Sequence, residues 1–159
     1  MRGARDAGTP WWRRILGRKV RAALDPDRPD LVVVARCFDD VEACSTTLAR
    51  AEETGWIAAD DAVLRHHLVL PADRIADAAA LAAQDGYVLH APDGYVLNAG
   101  DGGTERDPRT IVFQRVQVLD ALHCSQERSR MAGLAQRHDG DVTGWDALQP
   151  RRERSAAPD

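Results

Sequence analysis

"AVLRHHLVLPADRIADAAALAAQDGYVLH", residues 62–90, decides the fold. Its opening alternates as a strand does, with Leu64, His66, Leu68 and Leu70 on one face and Val63, Arg65, His67 and Val69 on the other. From Pro71 to Asp85 alanine dominates and the spacing turns helical; Gly86 then stops the helix and "GYVLHA" starts a second strand. Neighbouring side chains on a strand point to opposite faces, and positions i and i+1 of a helix also diverge. The histidine pair is therefore a poor chelator in either conformation. The expectation is His66 against apolar neighbours, with His67 beside Arg65 in solvent.

Upstream, "LVVVARCF" (31–38) reads as a buried strand. "DDVEACSTTLARAEETG" follows as a helix, with Asp39 or Asp40 near its N-cap and Gly55 at its stop. Downstream, "PDGYVLNAGDGGTERDP" is a hairpin or loop and "RTIVFQRVQVL" a long strand leading into a helix over about residues 120–137. "DVTGWDAL" (141–148) is a short closing strand. "ETGW" and "QDGY", 31 residues apart, echo one another too weakly to mark a duplication. The spacing predicts a basic amphipathic arm over 1–24, a linker "DPDRPD" over 25–30, one domain over 31–148 and a disordered tail over 149–159.

Composition narrows the function classes. The 159 residues suit one domain, and aromatics are only 5%, so alanine-faced helices on a sheet are expected in place of a large aromatic cavity. Of 21 basic residues 20 are arginine, which suits a G+C-rich bacterial genome. Residues 1–24 hold seven basic and one acidic side chain, a net of +6; against −4 for the whole chain, that leaves −10 for residues 25–159. No apolar run approaches a membrane span and no segment resembles a signal peptide, so a cytoplasmic location is expected. Cys37, Cys44 and Cys124 are odd in number and form no Cys-x-x-Cys, which reads as reduced structural thiols.

Chemical motifs fail on inspection. "NAGDGGT" (98–104) precedes a strand, where a phosphate-binding loop must open a helix. "DGDVTG" (139–144) matches the start of a calcium loop, but the position for its bidentate glutamate is Pro150. His123 and Cys124 are adjacent, and His90 and His138 lack local partners, so no catalytic triad or metal set can be assembled. No enzyme, metal or cofactor is expected. In the arm, Trp12, Ile15, Leu16, Val20 and Leu24 share a helical face flanked by Arg13, Arg14, Arg18 and Arg21. That segment serves as a staple onto the domain, a membrane-surface helix (residues 10–24) or a contact to nucleic acid or protein.

From residue 62 to 148 the order is strand, helix, strand, strand, helix, strand, within an α+β chain carrying an extra N-terminal strand-helix unit. A βαββαβ core is the plan of the ferredoxin-like α/β sandwich. In detail, "HHL" (66–68) followed by "AD" and an alanine-rich helix, "GYVL" (86–89) and "TGW" (143–145) after a long helix resemble the regulator of ribonuclease E activity B family. The resemblance covers slightly more than half of the chain. It implies a non-catalytic protein that binds and modulates a ribonuclease E type endoribonuclease, affecting RNA turnover, with no tight nucleic-acid binding by the domain. The basic arm, the tail "RRERS" and the extra unit at 31–55 differ from the family pattern. The residues expected to meet a partner are Trp11, Trp12, Arg13, Arg14, His67 and Trp145. Two other classes compete: a small enzyme or ligand-binding domain using the sheet face near His66 and the 98–103 loop, and an adaptor docking to a membrane or partner through its arm.

Overall fold

The computed structural model describes residues 22–90 and 106–152. In chain order they form β1 (Leu31–Cys37), α1 (Cys44–Glu52), β2 (Asp61–Pro71), a 3-10 turn (Ala72–Arg74), α2 (Ile75–Gln84), β3 (Val88–His90), β4 (Pro108–Val118), α3 (Ala121–Arg137) and β5 (Asp141–Pro150). The strands make one antiparallel sheet in the order β1-β5-β2-β4-β3, an α+β architecture. The N-terminal unit adds β1 to the sheet edge beside β5. Residues 1–21 of the expected arm (1–24), the whole of the 91–105 connection and the tail beyond 152 lie outside the described residues. No helix among the described residues is long and apolar enough to cross a membrane, which says nothing of strands.

β2 lies at the sheet centre because alternation along it satisfies both sides. It pairs with β4 over its whole length, from Asp61 opposite Val118 to Pro71 opposite Pro108, and with β5 on its other side. Leu64, His66, Leu68 and Leu70 are fully buried beneath the three helices. One cluster joins Leu64, Trp145, Ala35 and Cys37 to Leu48 of α1 and Cys124 of α3. The other joins Leu68, Leu70, Ile111 and Phe113 to α2 and to Met131 and Leu134 of α3. On α2, Ile75, Ala78 and Ala82 supply the buried face. Each large apolar side chain so buried contributes about 1.5–3 kcal/mol relative to exposure.

The echo of "ETGW" and "QDGY" has a local cause. Gly55 and Gly86 take left-handed backbone (φ 98° and 78°), and the next N–H, of Trp56 or Tyr87, donates to the carbonyl five residues back, Ala51 or Ala82. This helix stop turns the following aromatic inward, so both Trp56 and Tyr87 are buried.

Two boundaries depart from the sequence reading. α1 begins at Cys44 with Ala43 as its uncapped N-cap, four residues after Asp40. The Asp39 carboxylate instead accepts from the N–H of Val41 (3.0 Å), closing a turn before the helix. β5 is a ten-residue interior strand running to Pro150, beyond the expected end at 148. Gln149 is buried with its amide bonded to both the N–H and the carbonyl of Ile57 (2.9 Å each), which holds that end of the strand in the fold.

Candidate functional site: the open sheet face and its crevice

The three helices cover one face of the sheet; the other is open at Val33, Arg36, Val88 and Val118, which are exposed, and closed at Val63 and Val112, which are buried. Strand register places directly opposed residues on the same face, so the open face can be read in rungs. One rung is apolar: Val33, Leu148, Val63 and Val116, from β1 to β4. The next is polar: Arg36, Asp146, Arg65 and Gln114, ending on Val88 of β3. The third is Gly144, His67, Val112 and His90. Val33 and Val118, 45% and 51% exposed, leave apolar surface on the Asp61 side of the polar rung, and Val88, 62% exposed, leaves it at the β3 end of that rung.

At the centre, Asp146 accepts two hydrogen bonds from Arg65, from Nε at 2.6 Å and Nη2 at 2.7 Å. His67 Nε2 lies 3.0 Å from the same carboxylate. Burial pushes the Asp146 carboxyl up, but the hydrogen bonds from His67 and Arg65 outweigh it and hold the group below the usual carboxylate range. The Phe38 ring packs against His67 (centroids 5.1 Å apart), and Arg36 lies over Phe38 at 5.5 Å. Phe38 can lie there because Gly144 has no side chain: a Cβ would come 2.4 Å from Phe38 Cδ1 and 2.7 Å from the Cys37 carbonyl oxygen. His67 is thus clamped by a carboxylate and a ring, where the sequence reading left it in solvent.

Beyond Phe38 the surface folds into a crevice of about 740 Å³ between the 37–45 segment, α3 and the start of β5. Arg128 of α3 holds its upper wall, donating to the carbonyl oxygens of Glu42 (2.7 Å) and Asp40 (3.1 Å). Cys44, Thr143 and Trp145 also line it.

His66 occupies the covered face, 0% exposed, with neither ring nitrogen hydrogen-bonded. Burial lowers its pKa to about 3, so it is a neutral core side chain packed near Tyr87. An enzyme reading that places substrate against His66 is corrected by that burial. Trp145, expected at a partner surface, sits opposite His66 on the same covered face and is 1% exposed, so its indole serves the core. Trp11, Trp12, Arg13 and Arg14 lie outside the described residues, as does the 98–103 loop. Of the expected contacts within the described residues, the structure leaves His67 on the open face. Among the described residues no group of three or more His, Cys, Asp and Glu side chains is placed to hold a metal ion.

Asp146, Phe38, Arg128 and the Cys44–Cys124 pair are absent from the sequence reading. A signal for Asp146 existed: it is a charged residue inside an alternating strand, between Trp145 and Ala147, and such a side chain needs a cross-strand partner. The cysteine pairing had none, since 80 residues separate the two.

In comparisons with known proteins, no family model, no curated protein and no solved structure matches this chain.

Proposed function

We propose that this chain is a non-catalytic regulator in the cytoplasm of a bacterium that binds a ribonuclease E type endoribonuclease and modulates RNA turnover. Its core, β2-α2-β3-β4-α3-β5 with the strand order β5-β2-β4-β3, is read here as a ferredoxin-like sandwich extended by β1. The observation that carries the reading is the sheet face away from the helices, where exposed Val33, Val88 and Val118 border an ion-paired rung. A surface of apolar contacts around a satisfied polar centre suits a protein partner, for which it offers both burial and register. The short motifs around His66–Leu68, Gly86–Leu89 and Thr143–Trp145 support the choice of partner class. The net of −10 on residues 25–159 favours a basic protein surface and disfavours nucleic-acid phosphate.

The test is a pull-down with the host's ribonuclease E type enzyme, joined to a cleavage time course on a model RNA at two salt concentrations. The expected result is a complex that weakens as salt rises and slows cleavage. Val33→Glu and Val88→Glu, on side chains already about half exposed or more, should each weaken binding about tenfold, equivalent to about 1.4 kcal/mol. Unchanged cleavage with no complex, or tight RNA binding by the 31–148 domain, overturns the reading. A small enzyme or ligand-binding domain is the second reading, favoured by the His67–Asp146 pair beside the crevice. Turnover or ligand binding lost in His67→Gln, with no ribonuclease complex, would select it.

A further inference from the structure

Cysteines scattered in sequence converge at the inner wall of the crevice. Cys44 is the first residue of α1 and Cys124 lies in the first turn of α3, with their sulfurs 2.7 Å apart. Cys44 lines the crevice, whereas Cys124 is 0% exposed. Arg128, one turn further along α3, brings Nη1 to 3.9 Å from Cys44 Sγ and is fixed there by its bonds to Glu42 and Asp40. Cys44 also sits at the positive end of a helix whose N-cap supplies no side-chain bond. The third thiol lies apart from this pair: Cys37 Sγ is 3.4 Å from the Glu42 carboxylate and 3.1 Å from the Asp39 carbonyl oxygen.

We propose that Cys44 and Cys124 are an oxidisable dithiol, a modification site at which hydroperoxides entering the crevice react with Cys44 and Cys124 then closes a disulfide between α1 and α3. In the first step the Cys44 thiolate attacks the outer peroxide oxygen; the O–O bond breaks, the sulfur becomes a sulfenic acid and the alkoxide or hydroxide leaves with a proton as alcohol or water. In the second, Cys124 loses its proton and its sulfur attacks the Cys44 sulfur, expelling hydroxide, which takes that proton and leaves as water. Two thiols lose two electrons and one peroxide gains them. Cys44 is suited to the first step. The hydrogen bond from Cys124, aided by Arg128 and opposed by burial, brings its pKa down to about 6, while the hydrogen bond to Cys44 and burial raise that of Cys124. Of the two thiols, the one that borders the crevice is therefore the one that ionises more readily.

The experiment treats reduced full-length protein with hydrogen peroxide at neutral pH and follows it by intact mass and non-reducing peptide mapping. The expected result is loss of two hydrogen atoms, one cross-linked peptide pair containing Cys44 and Cys124, and Cys37 still free to alkylate after unfolding. Oxidation should run faster in the folded protein than in protein unfolded in urea, where both thiols return to the ordinary range. Cys124→Ser should leave a sulfenic acid on Cys44 that a dione probe labels, and Arg128→Met should slow oxidation several-fold at neutral pH. The wild-type mapping stands alone if either variant fails to fold. An unchanged mass, a cross-link through Cys37, or oxidation no faster in the folded protein overturns the proposal.

Discussion

Tyr87 donates its hydroxyl to Glu127 across 2.7 Å inside the protein, joining the end of α2 to the middle of α3. The carboxylate is 5% exposed and also receives Arg115 Nη2 at 2.9 Å, while the Arg115 guanidinium lies 4.7 Å from the Tyr87 ring centre. Ring, carboxylate and guanidinium thus satisfy one another. Tyr87→Phe should cost about 1–2 kcal/mol and lower Tm by several degrees. Glu127→Ala should cost more, about 3–5 kcal/mol, because it leaves Arg115 without its buried counter-charge. Urea unfolding of the two variants checks the order; equal losses would mean that the arginine finds another partner.

Acid should weaken the fold in two separate windows. His66 has a folded pKa of about 3 against an ordinary value of 6.5, so the unfolded chain binds the proton first. Stability is then full above pH 6.5 and falls as pH drops toward 3, by about 2 kcal/mol between pH 7 and 5. His66→Leu should remove that slope and leave stability at pH 7 nearly unchanged, since both ring nitrogens are already unpaired. Asp146, also depressed, contributes only below the ordinary carboxylate range, where its protonation releases Arg65 and His67. Denaturant midpoints for both proteins from pH 7 to pH 4.5 make the comparison; parallel curves would exclude His66 as the cause.

Asp146→Asn keeps the shape of the side chain and removes the charge that Arg65 and His67 share. With Asp146 buried and Arg65 half-buried, the loss should be about 1.5–3 kcal/mol, the range for hydrogen bonds to a charged group. Replacing both members, Arg65→Met with Asp146→Leu, should recover most of it, because no charge is then left unpaired. The three unfolding free energies decide this.

Gly144→Ala should destabilise by about 1–3 kcal/mol. The added Cβ meets a backbone oxygen as well as the Phe38 ring, so rotating the ring away relieves only part of the clash. Loss of the Phe38–His67 contact should appear as a changed chemical shift of the His67 ring protons, together with a lower Tm.

What was legible in the sequence was periodic or local. Alternation along 62–70 located β2, its faces and the buried position of His66, and the glycines at 55 and 86 marked helix ends. What was hidden depended on register across long stretches of chain. Asp146 reaches Arg65 over 81 residues, and nothing near Trp145 in sequence tells that its face is the covered one. The misplaced start of α1 has a different source: Asp39 is a good capping residue, but its carboxylate is used in a turn one step earlier. In "TGW" the glycine is a matter of space, and the space belongs to Phe38, more than a hundred positions away.

The strand order sets a timetable for assembly. Among the described strands β1 has one hydrogen-bonded neighbour, β5, which follows it by more than a hundred residues and also separates it from β2. Until synthesis passes Pro150, β1 has both edges bare and Val34, Ala35 and Cys37 lack the Trp145 and Ala147 side chains that cover them. The β2–β4 pair, closer in sequence, can close first, with the N-terminal strand joining when β5 slots between. A nascent chain stalled before β5 is therefore the form most exposed to chaperones and to pairing with a neighbour's strand.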